Sequence, residues 1–182
     1  MLIRDIVRQS KLLVAGHRGY SAEYPENTLL SIQKGIETGV DMIEIDIGLS
    51  KDGIPILIHD ETLERTTNGV GLVSDFTLEE LLQLDAGIKK DPDFAGLKIP
   101  TFVEFCDLML EHPNVLMNID LKRGEHTLLA AEKVLDILDK YGLTQRCVFN
   151  SLDGRATMYT HKRGLFTEGA PNGFYGMPYF DE

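Results

Sequence analysis

Tryptophan is missing from this 182-residue chain, and cysteine occurs only twice. Cys106 and Cys147 stand far apart and in no C-x-x-C spacing. This argues against a zinc site or thiol redox motif and for two reduced, buried apolar side chains. A reducing compartment follows, and with it the expectation of a cytoplasmic protein. Long apolar runs are also missing. No stretch approaches the ~18 residues of a membrane span, and the start, MLIRDIVRQSK, has no small-residue cleavage pattern. The expectation is therefore no transmembrane segment. Basic charge is scarce: 18 Lys and Arg stand against 29 Asp and Glu, a net −11. Nucleic acid and anionic membrane surfaces both need a basic face, so neither is an expected partner. Any anionic substrate must be bound where a few local groups invert that field. There is no dinucleotide-type glycine fingerprint, internal repeat or low-complexity tract.

What is present is globular. At 43% apolar and 26% charged residues, residues 1–182 read as a single domain that buries roughly 70% of its unfolded-chain surface. Apolar strands alternate with amphipathic helices in the manner of parallel βα units. The strands are expected at 12–16, 41–49, 54–60, 114–122, 146–151 and 164–169. Asn27 is expected to cap a helix over TLLSIQKGIETG, which Gly39 stops. Capping boxes pair Thr77 with Glu80 and Thr101 with Glu104. A long helix over 127–141 carries Leu128, Ala131, Val134, Leu135 and Leu138 on one face, with Gly142 at its end. Residues 61–98, polar and punctuated by Gly and Pro, interrupt the rhythm as an insertion. Six βα-like strands suit a TIM barrel better than a Rossmann sheet, although a full barrel takes ~250 residues. About two units are not found. The expectation is a shortened barrel, a fragment, or a barrel whose open edges are covered by self-association.

The ends of four strands concentrate polar residues. The first ends in His17-Arg18, the second carries Glu44 and Asp46, the third ends in His59-Asp60, and the fourth carries Asp120 and Lys122. Residues two apart on a strand share a face, so Glu44 points with Asp46 and Asp120 with Lys122. Two like charges ~4 Å apart repel by about 4 kcal/mol at an effective dielectric near 20. An apolar strand does not tolerate that without counter-charge. A divalent cation among Glu44, Asp46 and Asp120 would supply it, and hard oxygen ligands select magnesium, calcium or manganese. The alternative pairs Glu44 and Asp46 with Arg18 and Lys122 as buried salt bridges. His17 and His59, on strands flanking the carboxylates, form a candidate proton-transfer couple because imidazole titrates near neutrality. His112, His126 and His161 lie in turn- or helix-like sequence and read as structural.

The motifs GHRGYSAEYPENT, MIEIDIGLSKDGIPILIHD, LERTTNG and MNIDLK, in that order, closely resemble those of the glycerophosphodiester phosphodiesterase (GDPD) family. The resemblance is dense over roughly residues 12–125. It implies an α/β fold, a TIM barrel of the phospholipase-C-like phosphodiesterase type with a GDPD-type insertion. It also implies hydrolysis of glycerophosphodiesters to glycerol 3-phosphate and an alcohol, in phospholipid and glycerol metabolism, with a divalent cation (Mg²⁺ or Ca²⁺, with Mn²⁺ acceptable). Carried over motif by motif, His17 and His59 are the general acid/base pair, and Arg18 and Lys122 bind the substrate phosphate. Glu44, Asp46 and Asp120 hold the metal. One departure is Asp120, where many members have Glu. The analogy makes the glycerol 2-hydroxyl an internal nucleophile, with direct attack by water as the competing route. Two other readings stay open. One is a related barrel enzyme acting on lysophospholipids or phosphoinositide-type head groups, hinted at by the aromatic tail GFYGMPYF. The other is a non-catalytic binding module.

Overall fold

The computed structural model of the chain describes residues 12–169. The N-terminal MLIRDIVRQSK and the aromatic tail lie outside the described residues. Five strands run parallel: β1 (Ala15–His17), β2 (Met42–Leu49), β4 (Leu116–Leu121), β5 (Cys147–Ser151) and β6 (Phe166–Gly169), ordered β1-β2-β4-β5-β6. A short strand, β3 (Pro55–Leu57), pairs antiparallel with the end of β2. The helices are α1 (Leu29–Glu37), α2 (Leu78–Leu81), α3 (Phe102–Glu111), α4 (Thr127–Tyr141) and α5 (Gly154–Lys162).

The two faces of the sheet have different chemistry, and strand alternation explains it. Ile43, Ile45 and Ile47 of β2, with Met117, Ile119 and Leu121 of β4 and Phe149 of β5, point into one core. Phe102, Phe105 and Met109 of α3 and Ala131, Val134, Leu135 and Leu138 of α4 cover that core. The residues between them face the other way. Met42, Leu116 and Val148 form a small apolar cluster at the N-terminal base of that second face. Above them the sequence turns polar: Glu44 then Asp46 on β2, Asn118 then Asp120 on β4, and Asn150 on β5.

Helix ends follow local sequence. Both expected capping boxes form, at Thr77/Glu80 and Thr101/Glu104. Gly142 ends α4 in the left-handed region, φ 67°, which glycine adopts without Cβ strain. Two expectations are corrected. The α1 cap is Thr28, whose hydroxyl accepts from Ser31 N–H; Asn27 is turned away at φ 56° and serves elsewhere. The third strand is not a parallel barrel strand. The Ser50–Gly53 turn, with Gly53 at φ 75°, folds residues 55–57 back along β2 as a hairpin. A tight turn of this length cannot make a parallel crossover, which needs a dozen or more residues. Residues 61–98 contain α2 and 3₁₀ turns but no strand. They gather a separate apolar cluster of Leu63, Val73, Leu81 and Ala86 against Ile56, Ile58 and Ile99.

Cys106 and Cys147 are free and buried. Burial pushes the Cys106 thiol up to about 12, and that of Cys147 also upward, so both are inert, space-filling side chains. No helix among the described residues is long and apolar enough to cross a membrane.

Candidate active site

Parallel register builds the site. Glu44 pairs with His17 on one side and Asn118 on the other, and Asp46 lies opposite Asp120. The three carboxylates therefore share the polar face near the C-terminal ends of the strands, where parallel α/β barrels place their chemistry. One oxygen from each of Glu44, Asp46 and Asp120 lies within 4.8 Å of the others. Asp46 is fully buried and Glu44 nearly so. The Arg18 Nε lies 3.0 Å from one oxygen of Asp46, and the Lys122 ammonium 2.6 Å from the other, while Lys122 also contacts Asp120. Burial pulls the Lys122 pKa down, but hydrogen bonds from its ammonium to Asp120 and Asp46 outweigh that and leave it raised.

The salt-bridge alternative is thus half realised. Asp46 has both cations, but Glu44 has neither. Glu44 Oε2 accepts the Arg18 backbone N–H at 2.9 Å and stands 3.9 Å from His17 Nε2. Three carboxylates against two cations leave one negative charge in excess. Burial first, then the Asp46 charge, pushes the Glu44 carboxyl up to about 7. Asp46 Oδ1 is buried, and its close partner is the Lys122 ammonium at 2.6 Å. Excess negative charge and a set of three clustered hard oxygens suit a divalent cation.

Arg18 owes its placement to a strained turn. Arg18 has φ 58° and Gly19 φ 84°. A Cβ on Gly19 would meet the carbonyl carbon and hydroxyl of Ser31 at 2.5 Å, so only glycine lets the turn lie this close to α1. His17, at the end of β1, is exposed with its Nε2 toward Glu44. His59 arrives by the hairpin: the Ile58 N–H donates to the Asp46 carbonyl at 3.1 Å, which returns the chain to the carboxylates. His59 Nδ1 lies 2.5 Å from Asp60 Oδ1. His59 and Lys122 border one cavity of about 250 Å³, whose wall also includes Glu61, Leu72, Arg123 and His126. His17 therefore flanks the carboxylates through Glu44, and His59 through the cavity it shares with Lys122. Of the remaining histidines, His112 meets Gln33 at 3.3 Å and His161 sits exposed in the last turn of α5.

Three further residues serve this site without standing out in the sequence. Asn27 donates from Nδ2 to Asp46 Oδ2 at 2.7 Å and accepts the Asp46 backbone N–H at 3.2 Å, holding the central carboxylate from both ends. Glu26 and Arg65 link Arg18 to Asp60. The PENT and LERTTNG segments were the available signal, since polar residues there have no helical or strand periodicity to account for them.

Fold and site together define an α/β protein with a largely parallel sheet and an acidic, cation-suited centre at the C-terminal ends of its strands. A family model described as the glycerophosphoryl diester phosphodiesterase family matches residues 17–163. The chain belongs to that family. A glycerophosphodiester phosphodiesterase of Caldanaerobacter subterraneus is 44% identical over 144 residues, covering 79% of this chain and 59% of that protein. One from Bacillus subtilis is 33% identical over 170 residues, 87% of this chain and 58% of that one. An Oleispira antarctica phosphodiesterase, solved with its product sn-glycerol-3-phosphate, superposes with a TM-score of 0.80 at 31% identity. That match covers 89% of this chain and 66% of the other. The chain has the TIM-barrel fold class of these enzymes and spans about three fifths of the length of the curated relatives it matches.

Proposed function

We propose that this site hydrolyses glycerophosphodiesters to glycerol 3-phosphate and an alcohol. The observation that carries the reading is the parallel register that gathers the buried Glu44 and Asp46 and the part-buried Asp120 beside Arg18 and Lys122. Glu44, Asp46 and Asp120 would hold a divalent cation, with magnesium or calcium preferred to manganese. When bound, that ion would act as a Lewis acid toward a phosphoryl oxygen. Arg18 would orient the diester: its Nη1 donates to Glu26 and its Nε lies 3.0 Å from Asp46, which leaves Nη2 available to a non-bridging oxygen. Lys122 supplies a second, compact positive charge where negative charge develops on phosphorus-bound oxygen.

The two histidines divide the proton work in this reading. With Asp60 accepting from His59 Nδ1, the Nε2 lone pair of His59 is the free base. His17, exposed beside Glu44, exchanges protons with solvent and serves as its counterpart. One takes the proton of the nucleophile, either the glycerol 2-hydroxyl or water, and the other gives a proton to the leaving alcohol. Residues 61–98 belong to the same single domain as an insertion beside the site. The protein would act on soluble diesters from phospholipid breakdown, in a reducing cytoplasm that keeps Cys106 and Cys147 as thiols. The test is glycerol 3-phosphate release from glycerophosphocholine, with a lysophospholipid run in parallel. Release from the diester supports the reading. Turnover of the lysolipid alone, or of neither, overturns it.

A further inference from the structure

Four charged residues from three separate segments form one continuous chain that starts at the ring of His59. Asp60 Oδ1 meets His59 Nδ1 at 2.5 Å, and Arg65 clamps the same carboxylate through Nε to Oδ2 at 2.5 Å and Nη2 to Oδ1 at 3.0 Å. The other edge of the Arg65 guanidinium forks onto Glu26, Nη1 to Oε2 and Nη2 to Oε1, both at 2.8 Å. Glu26 Oε1 also accepts from Arg18 Nη1 at 3.0 Å. One planar guanidinium thus joins two carboxylates, each of which holds a side chain of the proposed machinery. We propose that Arg65 and Glu26 are positioning residues, a brace that fixes the His59 ring and the Arg18 guanidinium relative to each other.

Charge and geometry both support this. Arg65 hydrogen bonds, working against partial burial, lower the Asp60 carboxyl to about 2, so Asp60 stays an acceptor throughout the neutral range. It can then keep the imidazole proton on Nδ1, leaving Nε2 unprotonated. Burial raises the Glu26 pKa, but Arg65 and Arg18 together bring it below the usual carboxylate range. A lysine in place of Arg65 would carry the charge, yet its ammonium has three donors and no planar fork, so it cannot reproduce two bidentate pairs at once. Asp60 is a quarter exposed, and without Arg65 its carboxylate is free to turn to water and release the ring. Because Arg65 belongs to the 61–98 segment, the brace also gives that segment a task at the site.

The inference rests on the roles proposed above for His59 and Arg18, and its test separates the two. Long-range ¹H–¹⁵N spectra, with the His59 signal assigned by its loss in His59→Asn, report which ring nitrogen carries the proton. The wild-type ring should show the Nδ1–H form, while Arg65→Met and Glu26→Gln should show both tautomers. Turnover of glycerophosphocholine should fall about 10- to 100-fold in each variant, the size expected of a small misplacement of reacting groups. Arg65 is exposed, and at the partly buried Glu26 glutamine keeps an acceptor for Arg18 and Arg65, so the melting temperature should move by only a few degrees, on the order of 2–4 °C. Arg65→Lys should recover little. An unchanged ring with wild-type turnover in Arg65→Met, or full recovery by Arg65→Lys, overturns the brace. If the wild-type chain hydrolyses no glycerophosphodiester, the proposed reaction falls, and the ring spectra alone still decide the brace.

Discussion

Replacing Glu44 by glutamine should stabilise the metal-free protein, and the gain should depend on pH in a defined direction. Glutamine keeps the shape and the carbonyl that accepts the Arg18 N–H at 2.9 Å, but removes the excess charge beside Asp46. Burial and Asp46 raise the Glu44 carboxyl from 4.5 to about 7. Between those values the folded state holds a proton that the unfolded chain releases, so wild-type stability falls as pH rises through that window. At 1.36 kcal/mol per unit the penalty reaches about 3 kcal/mol above pH 7. Urea unfolding in the presence of chelator measures it. At pH 8 Glu44→Gln should be the more stable by about 3 kcal/mol, a midpoint shift of roughly 1.5 M at a typical slope. At pH 5 the two proteins should agree within about 1 kcal/mol. A divalent cation at a hundred times its Kd should then return about 2.7 kcal/mol to the wild type alone. A metal-free wild type that gains stability from pH 5 to pH 8 relative to Glu44→Gln would refute the reasoning.

Other perturbations test single parts. His17→Ala and His59→Ala should each lower turnover about 10²- to 10⁴-fold, measured as glycerol 3-phosphate release; near wild-type rates in either would remove that residue from the acid/base pair. Gly19→Ala forces a Cβ onto Ser31 at positive φ. It should cost about 2–4 kcal/mol in urea unfolding, and an unchanged midpoint would contradict the close approach. Asn27→Gly keeps the left-handed backbone but removes the amide that holds Asp46. Calorimetric titration should show divalent-cation affinity reduced about 10- to 100-fold; equal affinity would leave Asn27 without a role at the centre.

The parts legible in the sequence were those governed by local periodicity. Glu44 and Asp46 are two apart on an apolar strand, and so are Asp120 and Lys122. Strand geometry alone placed each pair on one face, and the parallel register then brought Asp46 opposite Asp120. The span of α4 and both capping boxes were legible for the same local reason. What was not legible depends on tertiary closure. IPILIHD has the composition of a buried parallel strand, and only the Ser50–Gly53 turn folding it back on β2 makes it antiparallel. Asn27 stands where a helix cap belongs, yet its left-handed backbone turns the side chain to Asp46, 19 residues away. The Arg65–Glu26 contact spans 39 residues, and no spacing rule connects them.

Glu44, Asp46 and Asp120 are proposed as the cation-dependent centre of a glycerophosphodiesterase. The most direct measurement is glycerol 3-phosphate release from glycerophosphocholine, before and after EDTA treatment and after adding back magnesium or calcium, for the wild type and Asp46→Asn. The wild type should lose activity with EDTA and regain it with the cation, and Asp46→Asn should stay inactive throughout. Undiminished release by fully stripped wild type, or by Asp46→Asn, would contradict this assignment.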